Sequence, residues 1–459
     1  MLWFRRDLRL ADHPALLAAA SDAGRRQAVV PLFVVDPQLW RPAGAPRRAW
    51  LIRSLRELRA GLAGRLVVLH GRPEDVVPAL AAQVRADRVH VTADAGPYGR
   101  RRDAAVAAAL GRDGRALVAT GTPYAVGPGT ITRPNGRPYA VFTPFFRAWA
   151  QHGWPAPAGS AAVATDTLWM RGVDSQELPA EPDPGTARWP DVGEEAAGRR
   201  WAAFVQAGLR SYDQRRDRPD VDGTSALSAH LKYGEIHPRT LLADLAAVRS
   251  AAGLSATPAN AIDSFRRELC WREFYADVLW HRPESARANL RPEFDRMRVD
   301  PPGERFEAWR RGRTGYPFVD AGMRQLLAEG WVHNRVRMVV ASFLVKDLHV
   351  WWTHGARWFM ERLRDGDLAS NQHGWQWAAG TGTDAAPFFR VFNPVVQGQR
   401  FDPDGDYVRR HIPELRHIAG GSVHEPWSAP DGYGHGYPER IVDHARERTE
   451  ALRRYEEVR

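Results

Sequence analysis

Asp365, Asp367, Asn371, His373, Trp375 and Trp377 crowd into one stretch, DGDLASNQHGWQWAAGTGTDAAP, residues 365–387. The run is too polar for a core and too aromatic for an ordinary surface loop. Carboxylates and an amide beside indoles suit the grip of a planar, polar ligand. In an extended or turning path Trp375 and Trp377 point the same way, whereas a helix separates them. The sequence leaves that choice open.

Three more motifs share this character. In ELCWREFY, Glu268, Trp271, Arg272 and Tyr275 fall at i, i+3, i+4 and i+7, giving one helix face an acid, an indole, a base and a phenol. A solvated face is the plain alternative, but the two aromatic rings weigh against it. In GWVHNRVRM, Asn334, Met338 and Ala341 share a face and Arg337 lies beside them, placed to pair with a carboxylate. Met338 taken alone reads as core filler. YDQRRD and DGTSALS supply Tyr212, Arg216, Thr224, Ser225 and Ser228. Hydroxyls at a helix start attract phosphate, although a simple N-cap explains them as well.

Other chemistries lack their signatures. No Ser sits in a nucleophile elbow, no P-loop, GxGxxG or HExxH occurs, and His333 and His373 show no metal spacing. No metal site is expected, and the single cysteine, Cys270, excludes an internal disulfide. Chemistry without acid–base or metal groups points to a cofactor. The net charge of +10 favours a polyanionic partner, and 18 tryptophans suit stacking on bases or on a planar ring.

Two kinds of chain must position these motifs. Residues 1–125 alternate apolar β-runs (LWF, AVVPLFVVD, RLVVLHG, RVHVTAD, ALVAT) with helical patterns, which implies a doubly wound parallel α/β sheet. Asp12 is the expected cap of the first helix and Gly24 its end. The first β-run looks clipped at Met1. Residues 126–200 are Pro/Gly/Ala-rich and read as a long surface connector. Residues 201–459 carry helical spacing throughout and read as an all-α domain. No apolar run reaches the ~20 residues of a membrane span and no signal peptide is evident, so a cytoplasmic protein is expected.

Motif content and order, from LWFRRDLRLADHPAL through DGTSALS, ELCWREFY, TGYPFVDAGMRQL and GWVHNRVRM to DGDLASNQHGWQWAAGTGTDAAPFFRVFNP, closely resemble the photolyase/cryptochrome family along nearly the whole chain. Within it the chain resembles class I cyclobutane pyrimidine dimer photolyases. The resemblance implies an antenna-binding α/β domain and a helical domain holding U-shaped FAD, reduced and anionic when active. It implies a monomer that acts on UV-damaged DNA, light sending an electron from flavin to the dimer and back. Tyr212, Thr224, Ser225, Ala226, Leu227, Ser228, Arg272, Arg337, Asp365, Gly366 and Asp367 match cofactor-binding positions, and Asn371 the residue facing flavin N5. Glu268 matches the acid that hydrogen-bonds the dimer. Trp271 and Trp377 match the indoles that sandwich it, Asn334 and Met338 line the same pocket, and Arg216, Arg335 and Arg390 contact phosphates.

Trp375 and Trp352 match the first two indoles of the electron-supply chain, but Val299 stands where the third belongs, leaving Trp309 and Trp351 as substitutes. Pro42 and Gly99–Arg100 depart from folate-antenna contacts, and PYGRRRD is similar to the branch binding 8-hydroxy-5-deazaflavin; an empty antenna site is the alternative. A cryptochrome-type photoreceptor is the rival function, disfavoured by Asn371 and by the retained lesion pocket.

Overall fold

The computed structural model describes residues 1–24, 28–159, 169–183, 189–250, 258–383 and 390–458. Five parallel strands, β1 (Leu2–Phe4), β2 (Pro31–Val35), β3 (Val67–His70), β4 (Arg88–Val91) and β5 (Ala116–Ala119), form one sheet in the order β3-β2-β1-β4-β5. Leu2 pairs with Pro31 on one side and His90 on the other. Helices α1 (Pro14–Ala23), α2 (Pro37–Trp40) and α3 (Ala45–Gly61) connect the strands that run outward from β1 to β3; α4 (Pro73–Gln83) and α5 (Pro97–Gly111) connect those beyond. Right-handed crossovers put the two groups on opposite faces. Burial on both faces explains why β1 and β2 are continuous apolar runs. Trp3, Val34, Val77, Leu80, Val106 and Leu110 belong to the core on the α4–α5 side.

Helix α1 corrects one expectation. Its cap is His13, whose Nδ1 accepts from the Leu16 N–H at 3.1 Å. Asp12 instead adopts a left-handed φ of 48° and accepts from the Ala158 N–H and the Thr240 hydroxyl. Gly24 ends the helix as expected.

The remaining helices follow in chain order: α6 (Phe142–His152), α7 (Glu194–Ala203), α8 (Tyr212–Arg215), α9 (Ser228–Tyr233), α10 (Pro238–Ser250) and α11 (Ala259–His281). Then come α12 (Glu304–Arg311), α13 (Pro317–Glu329), α14 (Asn334–Ser342), α15 (Trp352–Arg362), α16 (Leu368–Ala379), α17 (Pro394–Phe401), α18 (Asp406–His411) and α19 (His444–Glu456). Helix α6 and part of α7 lie inside the stretch expected to be connector. Phe142, Phe145 and Trp149 recur at helical spacing there and are buried, so a few large apolar side chains outweigh the Pro- and Gly-rich surroundings.

Two compact units result. Unit one comprises Met1–Pro184, Pro190–Arg210 and Ser225–Pro283; unit two comprises Gly185–Trp189, Ser211–Thr224 and Glu284–Arg459. The core of unit two gathers around α13 and α14, with Trp309, Phe318, Met323, Val340, Trp352 and Trp375. Among the described residues, no helix is long and apolar enough to cross a membrane.

Candidate functional site

The motif residues divide between the units, and each group is built separately. In unit two, Asp365 and Gly366 are buried just ahead of α16. Arg337 on α14 donates from Nη2 to Asp365 Oδ2 at 2.8 Å while its Nε holds the Val332 carbonyl at 2.7 Å. Asp365 Oδ1 is buried and has no partner among the described residues. A buried carboxylate oxygen without a donor is costly, so this atom is shaped for a group the chain does not supply. Asp367 caps α16, accepting from the Ser370 N–H at 3.1 Å.

Helix α16 settles the question of the indoles. At about 100° per residue, positions 375 and 377 face different ways. Trp375 is buried, edge-on to Phe359 at 5.1 Å and to Trp309 at 6.1 Å. Gly355 on α15 lies so close that a Cβ there would strike the Trp375 ring and approach Leu344 Cδ2 to 2.6 Å. Trp377 is half-buried, with Phe392 6.4 Å away and the Arg390 guanidinium 5.7 Å over its ring.

The polarity that seemed to exclude this stretch from a core is accommodated by partners. Gln376 is fully buried, accepting from Leu290 N–H at 2.9 Å and donating to the Ser285 and Ala288 carbonyls. His373 contacts the Ala369 carbonyl and Ser285 hydroxyl, and burial pushes its pKa down to about 4. His333, whose Nδ1 accepts from the Arg335 N–H, is likewise pushed by burial to about 4. Both are neutral packing groups at physiological pH. Asn371 donates from Nδ2 to the Ala356 carbonyl at 3.0 Å and to Gln372 Oε1 at 2.8 Å, and Gln372 in turn holds the Ala286 carbonyl. The anchoring segment 285–290 carries no motif signal, so sequence reasoning missed it.

Asn334 opens α14 exposed, with Met338 half-buried one turn on. Met338 is therefore not core filler; its sulfur accepts from Arg335 Nη1 at 3.7 Å. Arg335 also pairs with Asp217 at 2.9 Å and lies over Phe401. Arg216 lies 5.6 Å over the buried Tyr212 ring. Trp352 donates to Asn289 Oδ1 at 2.9 Å, with Trp351 6.4 Å away and half-buried. Val299 is exposed, and the neighbouring bridge between Asp300 and Val350 sets it beside this indole pair.

In unit one, Thr224 lies at the boundary, Ser225 accepts from Arg200 Nε at its carbonyl, and Ala226 takes a left-handed φ of 51°. Ser228 opens α9, whose cap residue Leu227 gives no side-chain bond, so the simple N-cap reading of the hydroxyls fails. On α11, Glu268, Trp271, Arg272 and Tyr275 are all half-buried. Phe142 lies parallel on the Trp271 ring, centroids 3.7 Å apart and planes 5° apart. This partner is distant in sequence and nothing signalled it. Arg272 donates to the Pro123 and Leu231 carbonyls, which fixes the helix rather than leaving the guanidinium wholly for a ligand. Glu273, one residue on, is fully buried and accepts from Ala125 N, Val126 N and Trp149 Nε1; burial raises its pKa. Burial likewise pushes the Cys270 thiol up, which rules it out as a nucleophile.

Comparison with known proteins bears on this geometry directly. The model of the FAD binding domain of DNA photolyase matches residues 265–457, and that of DNA photolyase matches residues 1–162. A deoxyribodipyrimidine photo-lyase of Agrobacterium fabrum is 39% identical over 100% of this chain and 98% of its own. Among solved structures, a bacterial class III photolyase from Agrobacterium tumefaciens superposes with a TM-score of 0.89 at 38% identity, covering 100% of this chain and 97% of that one. A cryptochrome of Synechocystis gives 0.88 at 27% identity, with 98% of each chain covered.

Proposed function

The chain belongs to the DNA photolyase family, and we propose that it splits cyclobutane pyrimidine dimers in UV-damaged DNA using light absorbed by bound reduced FAD. The observation that carries this reading is the buried Asp365, fixed by Arg337 through one oxygen and without a partner on the other. An N–H or hydroxyl of flavin or its ribityl chain supplies the missing donor, so the residues present fit the cofactor. When bound, reduced FAD lends the dimer an electron under illumination and recovers it after the ring has opened, with no net redox change.

The protein's own residues bind and orient. Asn371 spends both amide hydrogens on Ala356 and Gln372, which leaves its carbonyl oxygen as an acceptor toward flavin N5. Tyr212, Thr224, Ser225 and Ser228 hold the phosphates and ribityl chain. Glu268 hydrogen-bonds the dimer bases. Trp271, its ring held flat by Phe142, and Trp377 stack on the extruded lesion, with Asn334 and Met338 beside it. Extrusion costs a few kcal/mol, and each stacked base recovers about 1–3 kcal/mol. Arg216, Arg335 and Arg390 contact phosphates, fixing register without reading sequence.

Repair of an oligonucleotide carrying one thymine dimer, followed in light and in darkness, tests the proposal. Repair should require light, and Glu268→Ala should lower repair per photon and loosen dimer binding by about tenfold, the worth of one charge-assisted hydrogen bond. Turnover in darkness, or none in light with fully reduced flavin, removes the enzyme reading.

For the antenna we favour 8-hydroxy-5-deazaflavin. PYGRRRD opens α5 beside the crevice at the carboxyl ends of β1 and β4, where the strand order reverses and doubly wound folds bind ligands. Gly99 there packs directly on the Asp94 carboxylate, and Arg100 stacks 3.9 Å over Trp280. After reconstitution with the pigment, the excitation spectrum for flavin reduction should gain the deazaflavin band. A spectrum that stays that of flavin alone shows an unused site.

A further inference from the structure

One cluster of ligand-type side chains stands apart from every motif described above. His417 follows the 3-10 turn Pro413–Leu415 that trails α18, while Asp431 and His435 lie in the wound segment after Pro426–Ser428. One ligand atom from each residue lies within 4.8 Å of the other two, and all three side chains are exposed. The two imidazole centroids are 4.3 Å apart at a tilt of 44°, and Asp431 Oδ2 is 3.6 Å from His417 Nε2.

Tetrahedral zinc, with bonds of about 2.0–2.2 Å, sets neighbouring ligand atoms about 3.3–3.6 Å apart. The carboxylate–imidazole separation already has that value. We propose that His417, Asp431 and His435 form a surface site for a divalent transition-metal ion, zinc above all, with the fourth position left to water. Two imidazoles and a single carboxylate suit zinc, copper or nickel, whereas magnesium and calcium prefer oxygen throughout.

The backbone holds the ligands in place. Gly432 donates to Ala429, Gly434 to Asp431 at 2.8 Å and Gly436 to Tyr433 at 3.1 Å, so the segment is a run of closed turns. Gly432 is pressed against the Pro426 carbonyl, where a Cβ has no room, and Gly436 takes a φ of +82°. Binding displaces the 3.3 Å contact between His417 Nε2 and the Asp431 carbonyl, and joins two segments that only chain connectivity and turns now relate. The spacing of the three residues matches no metal motif, which is why the sequence predicted none.

The test titrates the untagged, FAD-containing full chain with Zn²⁺ alone by calorimetry and with Co²⁺ alone by visible absorption, Mg²⁺ serving as control. One equivalent of Zn²⁺ and of Co²⁺ should bind saturably, Mg²⁺ should not, and the flavin spectrum should stay unchanged. His417→Ala and His435→Ala, with His435→Gln as a second replacement of the same ligand, should each weaken binding by at least about tenfold while retaining flavin. Absence of saturable binding, or binding that survives these substitutions, overturns the assignment.

Discussion

Replacing Arg337 by Met should strip the protein of most of its FAD and lower its melting temperature sharply. The substitution removes the partner of Asp365, whose side chain is 2% exposed, and the donor to the Val332 carbonyl. Leaving one member of a buried ion pair uncompensated costs about 3–5 kcal/mol. Two features of the site sharpen the expectation. Asp365 already carries one oxygen without a partner, so loss of Arg337 would leave both oxygens bare in the free protein. Arg364, which interacts electrostatically with Asp365 but donates to the Glu329 carbonyl, moderates the loss and does not replace the bond. The double variant Arg337→Met/Asp365→Leu should regain much of the stability, since an apolar pair of similar volume replaces a buried pair at little cost, but it should bind no flavin. Thermal unfolding and the flavin-to-protein absorbance ratio separate these outcomes. A single variant as stable and as yellow as the parent would show that the pair does not hold the cofactor.

Photoreduction gives the second large effect. Trp352 is buried and its neighbour Trp351 half-buried, while Val299, beside both through the Asp300–Val350 bridge, offers no oxidisable ring. An electron hole that reaches Trp352 then leaves for solvent through Trp351 or returns to where it began. Val299→Trp should therefore speed photoreduction of bound oxidised FAD by about tenfold, equivalent to a barrier lower by about 1.4 kcal/mol. Val299→Phe, which adds a ring that is hard to oxidise, should behave like the parent. Flash photolysis of the three proteins makes the comparison, and equal rates in Val299→Trp and the parent would mean that this position is not the missing step. Trp309 is the other branch from Trp375, 6.1 Å away, but it is fully buried and donates to the Val340 carbonyl. It offers no contact with water.

How much of this was legible depends on the range of the physics involved. The five strands and their helices follow from local apolar periodicity, and the sheet order from the handedness of short crossovers. The cap of α1 did not follow, because Asp12 and His13 are both capable caps and tertiary partners at Ala158 and Thr240 claim Asp12. Helix α6 was hidden because composition averaged over a long stretch conceals three well-spaced aromatic residues. The site motifs were legible as residue types, and the family resemblance supplied their roles. Their supports were not: Phe142 against Trp271, Glu273 against the 125–126 backbone, and Ser285 and Leu290 against α16 are contacts between segments that no local pattern links. Residues 384–389, which complete the last motif, lie outside the described residues.

The Gln376 side chain, fully buried and bonded at both ends of its amide, behaves like a peptide group docked into a neighbouring strand of chain. That docking works at one azimuth only. Losing or gaining a single residue upstream in α16 would swing the helix by about 100°, exchanging the sheltered indole for the outward one and unseating the amide at once. Drift in this segment is thus confined to swaps of one side chain for another; its length is frozen.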